Sequence, residues 1–173
     1  MIFAIPYMNE TKAVLIQVAP GMPPDFWWVT AGVLVILALT ATVDAYRAII
    51  PEVIIFSGLL AVTATQGLYA SWDIAGHHLR QAVAAGLLFW AINFAWACKF
   101  RYDALGMGDA KWTMLAIACF GITPVVLAWG LGALLATALV GIMRLVNYRM
   151  TEITFSPFLL IGLGVGLYLV RFW

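Results

Sequence analysis

The stretch AGVLVILALTATVD, residues 31–44, is made of apolar and small residues until it ends on an aspartate. A second stretch, GMGDAKWTMLAIACF at residues 106–120, has the opposite order, because its aspartate precedes the apolar run. Carboxylates at the edges of long apolar helices are costly there and indicate a function when they occur. The aspartates of these two stretches, Asp44 and Asp109, are therefore candidate functional residues.

The composition of the chain favours a membrane environment. Of its 173 residues, 65% are hydrophobic and 10% are charged, whereas soluble domains contain about 25% charged residues. A chain of this size cannot bury so much apolar surface in one small core. The lipid bilayer is therefore the expected solvent. The formal net charge is +1 and no basic stripe occurs, so no nucleic-acid partner is expected.

Apolar runs separated by polar or proline-containing segments predict an all-α, polytopic membrane protein with a bundle of about six transmembrane helices. The predicted helices cover residues 26–47, 51–70, 81–98, 106 or 108 to 121, 123–147 and 156–173. Residues 1–24 are expected to form an irregular or interfacial N-terminus, and residues 25–173 one membrane domain.

Proline and polar residues set the boundaries of these predicted helices. Pro51 suits the first turn of the second helix, where a missing N–H costs nothing. Thr123 and Ser156 each precede a proline, and this pattern predicts an N-cap followed by a first-turn proline. Residues 71–80 are polar and are expected to form a loop that exposes His77 and His78.

Basic residues near the helix ends predict the orientation. One side of the membrane receives six of them (Arg47, Lys99, Arg101, Lys111, Arg144 and Arg149), and the other side receives three (Lys12, Arg80 and Arg171). The first set is expected in the cytoplasm. With its six predicted helices, the chain is expected to be a multi-pass protein of the cell inner (plasma) membrane. In this orientation, Asp44 and Asp109 both lie at the cytoplasmic face.

Two carboxylates on one membrane face can activate water. When two such groups lie close together they cannot both ionise cheaply, so they share a proton. The ionised group can then take a proton from water while the protonated group hydrogen-bonds a peptide carbonyl. Gly106 and Gly108 lack a Cβ, which permits a tight turn and a close approach of substrate beside Asp109. Asp103, in a polar loop, is the rival for the second carboxylate and is expected to be solvated.

Neither cysteine suggests a metal site. Cys98 and Cys119 lie in apolar stretches and belong to no CxxC or Cys/His cluster. We therefore expect no metal and no cofactor. Lys111 is expected to pair with Asp109 or to reach lipid phosphates, the second being favoured because a lysine near a helix end can snorkel.

Three segments of the chain resemble the type IV prepilin peptidases, which are GxGD-type aspartic membrane proteases. GMGD at residues 106–109, followed by Ala110 and Lys111, is similar to the GxGD motif. DAYRAIIP at residues 44–51 has the family's spacing of seven residues from the other catalytic aspartate to a proline, here Pro51. FSPFLLIG at residues 155–162, with Pro157, resembles the segment near the last helix. The resemblance covers most of residues 27–172.

The resemblance implies an endopeptidase that removes the short basic leader of prepilin-like or preflagellin-like membrane substrates at the cytoplasmic face. Asp44 and Asp109 would be its catalytic pair. Three acidic residues in the loops on that face could attract the basic leader (Glu52, Asp103 and Glu152). The chain lacks the zinc-binding segment with paired CxxC motifs of the larger, methylating members. The chain is similar to the short form of the family. The sequence does not distinguish a peptidase of a tight-adherence pilus system from an archaeal preflagellin peptidase.

Two other functions are compatible with the sequence. The first is a small transporter or channel subunit, whose paired carboxylates would relay protons or bind a cation near the bilayer midplane. The second is a non-enzymatic membrane assembly subunit, which would tolerate the loss of both aspartates. Gly162 and Gly166 form a GxxxG step that predicts close helix packing, either within the bundle or between chains of a homo-oligomer.

Overall fold

The computed structural model of the chain describes residues 27–47, 52–100, 106–146 and 155–170. These ranges form α-helices and contain no strand: α1 (Trp27–Arg47), α2 (Glu52–Tyr69), α3 (Trp72–Phe100), α4 (Met107–Phe120), α5 (Ile122–Leu145) and α6 (Ser156–Val170). The predicted all-α class is confirmed. The predicted interfacial segment at residues 1–24 and the positions Pro51, Asp103 and Glu152 lie outside the described residues.

Three of these helices, α2, α3 and α5, are long and apolar enough to cross a membrane. Residues 30–44 of α1 and residues 156–169 of α6 form shorter apolar helices. Helix α4 has 14 residues, whereas a perpendicular crossing of the hydrocarbon core takes about 20. The structure thus has the character of a membrane protein, with fewer helices suited to a crossing than the six expected.

Helix α4 lies at the centre of the bundle. It contacts each of the other five described helices, and ten of its 14 residues are buried. The side chains of Trp112 and Leu115 are completely enclosed. Trp112 Nε1 donates a hydrogen bond of 3.2 Å to the carbonyl oxygen of Leu37 on α1. This bond fixes the position of α4 along the axis of α1.

Helices α5 and α6 approach each other backbone to backbone at glycines. A Cβ built on Gly162 would overlap the carbonyl oxygen of Ala128, and one built on Gly166 would lie 2.8 Å from the carbonyl oxygen of Pro124. Small residues permit such close approach between membrane helices. The predicted packing role of Gly162 and Gly166 is therefore realised within the bundle.

The loop predicted at residues 71–80 is wrong, because these residues form the first turns of α3. Ser71 starts the helix: its hydroxyl accepts a hydrogen bond of 3.1 Å from the backbone N–H of Asp73. His77 is on the surface, as expected, but His78 is buried. Its Nδ1 lies 3.4 Å from Nε2 of Gln66 on α2.

The predicted caps of the last two helices are also wrong. Helix α5 begins at Ile122, one residue before Thr123, because Gly121 has a φ of 79° and joins α4 directly to α5. L-residues with a side chain rarely adopt this left-handed conformation. At the start of α6, the hydroxyl of Ser156 bonds to no backbone N–H in its own first turn and has carboxyl partners instead.

We predict that Gly162→Ala destabilises the bundle. The new methyl group would meet backbone atoms of α5, including the Cα of Ala128 at 3.0 Å, and a backbone cannot rotate away as a side chain can. Overpacking of this kind costs about 1–3 kcal/mol, which should lower the thermal unfolding midpoint of the detergent-solubilised protein.

The matched control is Gly164→Ala in the same helix, where an added Cβ has no neighbour within 4 Å. Alanine favours a helix over glycine by about 1 kcal/mol, so this variant should be at least as stable as the parent. Equal midpoints for Gly162→Ala and Gly164→Ala would contradict the close approach of α5 and α6.

Candidate active site

Asp44 lies on the face of α1 that points into the bundle. Leu37, Thr40 and Asp44 follow one another at helical spacings of three and four residues, and all three are buried. The hydroxyl of Thr40 donates back to its own helix, to carbonyl oxygens at 2.9 and 3.0 Å. Of these three side chains, the carboxyl of Asp44, near the C-terminal end of α1, is the one that bonds to another helix.

Asp109 occupies the first turn of α4 and is also buried. Trp112, one turn further along, carries the indole that donates to Leu37 of α1. Leu37 is two helical turns before Asp44 on the same face. The Trp112 hydrogen bond therefore brings the beginning of α4 close to the end of α1, which places the two aspartates at one end of the bundle.

The hydroxyl of Ser156 joins the two carboxyl groups. Its Oγ lies 2.5 Å from Oδ2 of Asp44 and 2.8 Å from Oδ1 of Asp109. Both distances are hydrogen-bonding distances. Ser156 is fully buried, and the two aspartates are 7% and 9% exposed. Three helices, α1, α4 and α6, thus contribute one polar side chain each to a single shielded cluster.

No cation in the described part of the chain neutralises this cluster. The ion pair found there joins Lys111 Nζ to Glu52 Oε1 at 2.9 Å, between α4 and α2. The expected ion pair of Lys111 with Asp109 is therefore wrong, because Lys111 bonds to Glu52 instead. Contact of Lys111 with lipid phosphates stays a prediction. Glu52 was expected to attract a basic leader, and the structure shows its charge already matched by Lys111.

Gly106 provides space for the carboxyl group of Asp109. Its φ of −62° and ψ of 126° are ordinary extended values that any residue can adopt, so the backbone here does not require a glycine. A Cβ at this position, however, would lie 2.9 Å from Asp109 Oδ2 and 3.6 Å from its carboxyl carbon. A glycine here therefore leaves the carboxyl group free to face Ser156. Gly108, in the first turn of α4, is half-buried.

Aromatic packing supports the cluster from the side of α5. Trp129 Nε1 donates a hydrogen bond of 2.9 Å to the hydroxyl of Thr113, one turn after Asp109. The same indole ring lies 5.0 Å from the ring of Phe155, the residue before Ser156. Trp129 therefore links the start of α6 to α4, and Pro157 follows in the first turn of α6, where it is half-buried.

Ser156 is the member of the cluster that the sequence alone did not identify. A serine before a proline at a helix start predicts an N-cap. That role was sufficient to account for Ser156 from its neighbours in the sequence. The signal that could have identified it is its place in FSPFLLIG, the third segment of the family resemblance. The contact with two carboxyls depends on helices far away in the chain.

Comparison with known proteins gives no relative: no protein-family model, curated protein or solved structure matches the chain.

We predict that Gly106→Ala disrupts the cluster. The added methyl group would push the carboxyl group of Asp109 away from Ser156, because Oδ2 lies 2.9 Å from the position of the new atom. A misplacement of about 1 Å at a reacting group costs about 100-fold in rate. The measurement is trimming of a prepilin leader, the activity that the family resemblance implies, together with the unfolding midpoint.

Gly130→Ala is the control, since a Cβ there has no neighbour within 4 Å. It should leave both trimming and stability close to the parent values. Full trimming by Gly106→Ala would show that the Asp109 carboxyl does not need the space that this glycine leaves.

Proposed function

We propose that the chain is a membrane aspartic endopeptidase that removes the leader peptide of type IV prepilin-like or preflagellin-like substrates. The observation that carries this proposal is the meeting of Asp44 and Asp109 at one hydroxyl group, that of Ser156. Two carboxyl groups from helices distant in the chain are held together, shielded from solvent, with no described cation to balance them. Such pairs are suited to activating water.

The two carboxyl groups are close enough to share a proton. Asp44 Oδ2 and Asp109 Oδ1 can be no farther apart than the sum of their distances from Ser156 Oγ, which are 2.5 and 2.8 Å. Two carboxyl groups at such a separation cannot both ionise cheaply. Each aspartate also has a second oxygen atom beyond the one that contacts Ser156, and the catalytic water would bind to these.

The proposed reaction uses one proton on the pair. The ionised carboxylate takes a proton from water, and the water oxygen bonds to the carbonyl carbon of the scissile peptide. The protonated carboxyl donates its proton to the carbonyl oxygen, which gives a tetrahedral diol. In the second half, the diol returns a proton to one carboxylate, the C–N bond breaks, and the other carboxyl protonates the leaving amine. The pair ends with one proton, as it began.

The ends of the helices support a site at the membrane surface. Asp44 is three residues from the last residue of α1, and Asp109 is the third residue of α4. The ion pair of Glu52, which is exposed, and Lys111, which is half-buried, lies at the same end of the bundle. A substrate helix could lie in lipid beside the bundle while its leader reaches this end. We place the site at the cytoplasmic face of the plasma membrane, on the distribution of basic residues in the sequence.

The transporter alternative is less well supported by this geometry. It requires carboxylates near the bilayer midplane and broken helices around them. The two aspartates lie instead at a helix end and a helix start, and both α1 and α4 are continuous through them. A non-enzymatic assembly subunit would tolerate the loss of both aspartates. Variants that lack the carboxylates therefore test this alternative.

We predict that Asp44→Asn and Asp109→Asn each abolish leader trimming while the protein still inserts. Either change leaves a neutral amide that can neither accept a proton from water nor donate one to the carbonyl. The loss expected from removing an acid or a base is about 10²–10⁴-fold. The measurement is the rate at which purified protein in lipid trims a substrate consisting of a basic leader followed by an apolar helix.

Asp73→Asn is the matched control. Asp73 is exposed in the first turn of α3, at the end of the bundle opposite to the cluster, so its loss should leave the rate unchanged. Trimming that persists in both Asp44→Asn and Asp109→Asn would exclude the pair as the catalytic groups. Absence of trimming by the parent protein on prepilin-like and preflagellin-like substrates would exclude the proposed activity.

A further inference from the structure

We propose that Ser156 is a positioning residue that keeps one shared proton on the Asp44–Asp109 pair and directs the two free carboxyl oxygens toward the catalytic water. This role rests on the proposed peptidase function. Ser156 itself touches neither water nor peptide in the reaction described above, and it acts through the two carboxyl groups.

The number of available hydrogens limits how Ser156 can bond to the two carboxyl groups. A serine hydroxyl has one hydrogen to donate and two lone pairs that can accept. Its Oγ is within hydrogen-bonding distance of two carboxyl oxygens, at 2.5 and 2.8 Å. If both carboxyls were ionised, neither could donate, and one short contact would be between two oxygens without a hydrogen. Both contacts are hydrogen bonds when one carboxyl is protonated and donates to Oγ while the hydroxyl donates to the other.

The hydroxyl of Ser156 is not required to start α6. The backbone N–H groups of Phe158 and Leu159 donate to the carbonyl oxygen of Phe155, at 3.0 and 3.1 Å. A buried hydroxyl without partners would be unfavourable, and Ser156 is fully enclosed. Its partners in the structure are the two carboxyl groups, so its role in the fold is tied to them.

The contacts of Ser156 also decide which oxygen atoms are left for water. It engages Asp44 Oδ2 and Asp109 Oδ1, so Asp44 Oδ1 and Asp109 Oδ2 stay available. Asp109 Oδ2 faces Gly106, where an added Cβ would lie 2.9 Å from it. Gly106 is exposed. The free oxygen of Asp109 is therefore next to the surface at the start of α4, where water and the substrate leader can enter.

A shared proton bridged by Ser156 extends the pH range of the active form. The bridge stabilises the pair with one proton relative to the pair with none, in which the hydroxyl can donate to only one carboxylate. It also stabilises that form relative to the pair with two protons, because hydrogen bonds to an ionised group are the stronger ones. Without the hydroxyl, the one-proton form should occupy a narrower pH range.

The other charged side chains described at this end of the bundle are not bonded to Ser156. Among the described residues, the ionisable groups that contact Ser156 are Asp44 and Asp109. The other charged side chains that the structure describes at this end are the Glu52–Lys111 ion pair, Lys99 in the last turn of α3 and Arg144 in the last turn of α5. These last two are exposed.

The test compares Ser156→Ala, which removes the hydroxyl, with Ser156→Thr, which keeps it. Ser156→Ala should lower kcat about 10- to 100-fold, as expected for the loss of a hydrogen bond to a charged group, with KM nearly unchanged. Its profile of rate against pH should narrow on both the acid and the alkaline side. Ser156→Thr should restore the width. Ser57→Ala, on the exposed side of α2, is the control and should change neither quantity.

A measurement without substrate separates this inference from the proposed function. Infrared spectra of the parent protein at neutral pH should contain the C=O band of a protonated carboxyl that is lost in Asp44→Asn or Asp109→Asn. In Ser156→Ala this band should move to higher frequency, because the proton loses its acceptor. If Ser156→Ala does not insert, Ser156→Gly provides the same comparison.

Each outcome has a separate meaning. An unchanged pH profile and kcat in Ser156→Ala, with both aspartate variants inactive, would overturn the role of Ser156 and leave the catalytic pair intact. A parent spectrum without the protonated carboxyl would overturn the shared proton. A parent protein that shows the band but trims no leader would refute the peptidase function and support the bridged pair.

Discussion

The hydroxyl of Ser156 lies between two carboxyl groups that are almost completely withdrawn from solvent, and the helices that carry these groups cannot be moved independently. Burying a carboxylate is costly unless it is hydrogen-bonded or neutralised. In the described part of the chain, Lys111 is paired with Glu52, and the partner of both carboxyl groups is the hydroxyl of Ser156. The end of α1, the start of α4 and the start of α6 are therefore held at one point. Any function of Asp44 and Asp109 has to begin from this shared site.

Packing elsewhere in the bundle holds that point in place. Helix α4 contacts all of the other five described helices. The hydrogen bond from Trp112 to Leu37 fixes its position along the axis of α1. Helix α6 is held by its close approach to α5 at Gly162, where a side chain would overlap backbone atoms. In lipid there is little hydrophobic drive for helices to associate, so such close contacts and hydrogen bonds are the main source of stability. The position of Ser156 thus depends on the small residue Gly162, about two turns further along α6.

Local patterns in the sequence predicted the helices and the two aspartates, because apolar runs and a charge at their edge are properties of short segments. Asp44 and Asp109 stood out on that basis, and the all-helical class followed from the same runs. The patterns failed where distant residues decide the structure. His78 was expected in an exposed loop because its neighbours are polar, but Gln66 on another helix provides it with a buried partner. Ser156 matched a cap signal, and its actual partners come from helices 47 and 112 residues away in the chain.

The most direct test of this account is a cross-linking measurement on the double variant Asp44→Cys, Asp109→Cys in native membranes, with Cys98 and Cys119 replaced by alanine. The shortest bis-thiosulfonate reagents bridge two thiols only when they are close neighbours. The account predicts rapid intramolecular cross-linking of this pair and none for Asp44→Cys combined with Asp73→Cys, which lie at opposite ends of the bundle. Equal or absent cross-linking in the two double variants, with both thiols reactive, would contradict the convergence of the two aspartates.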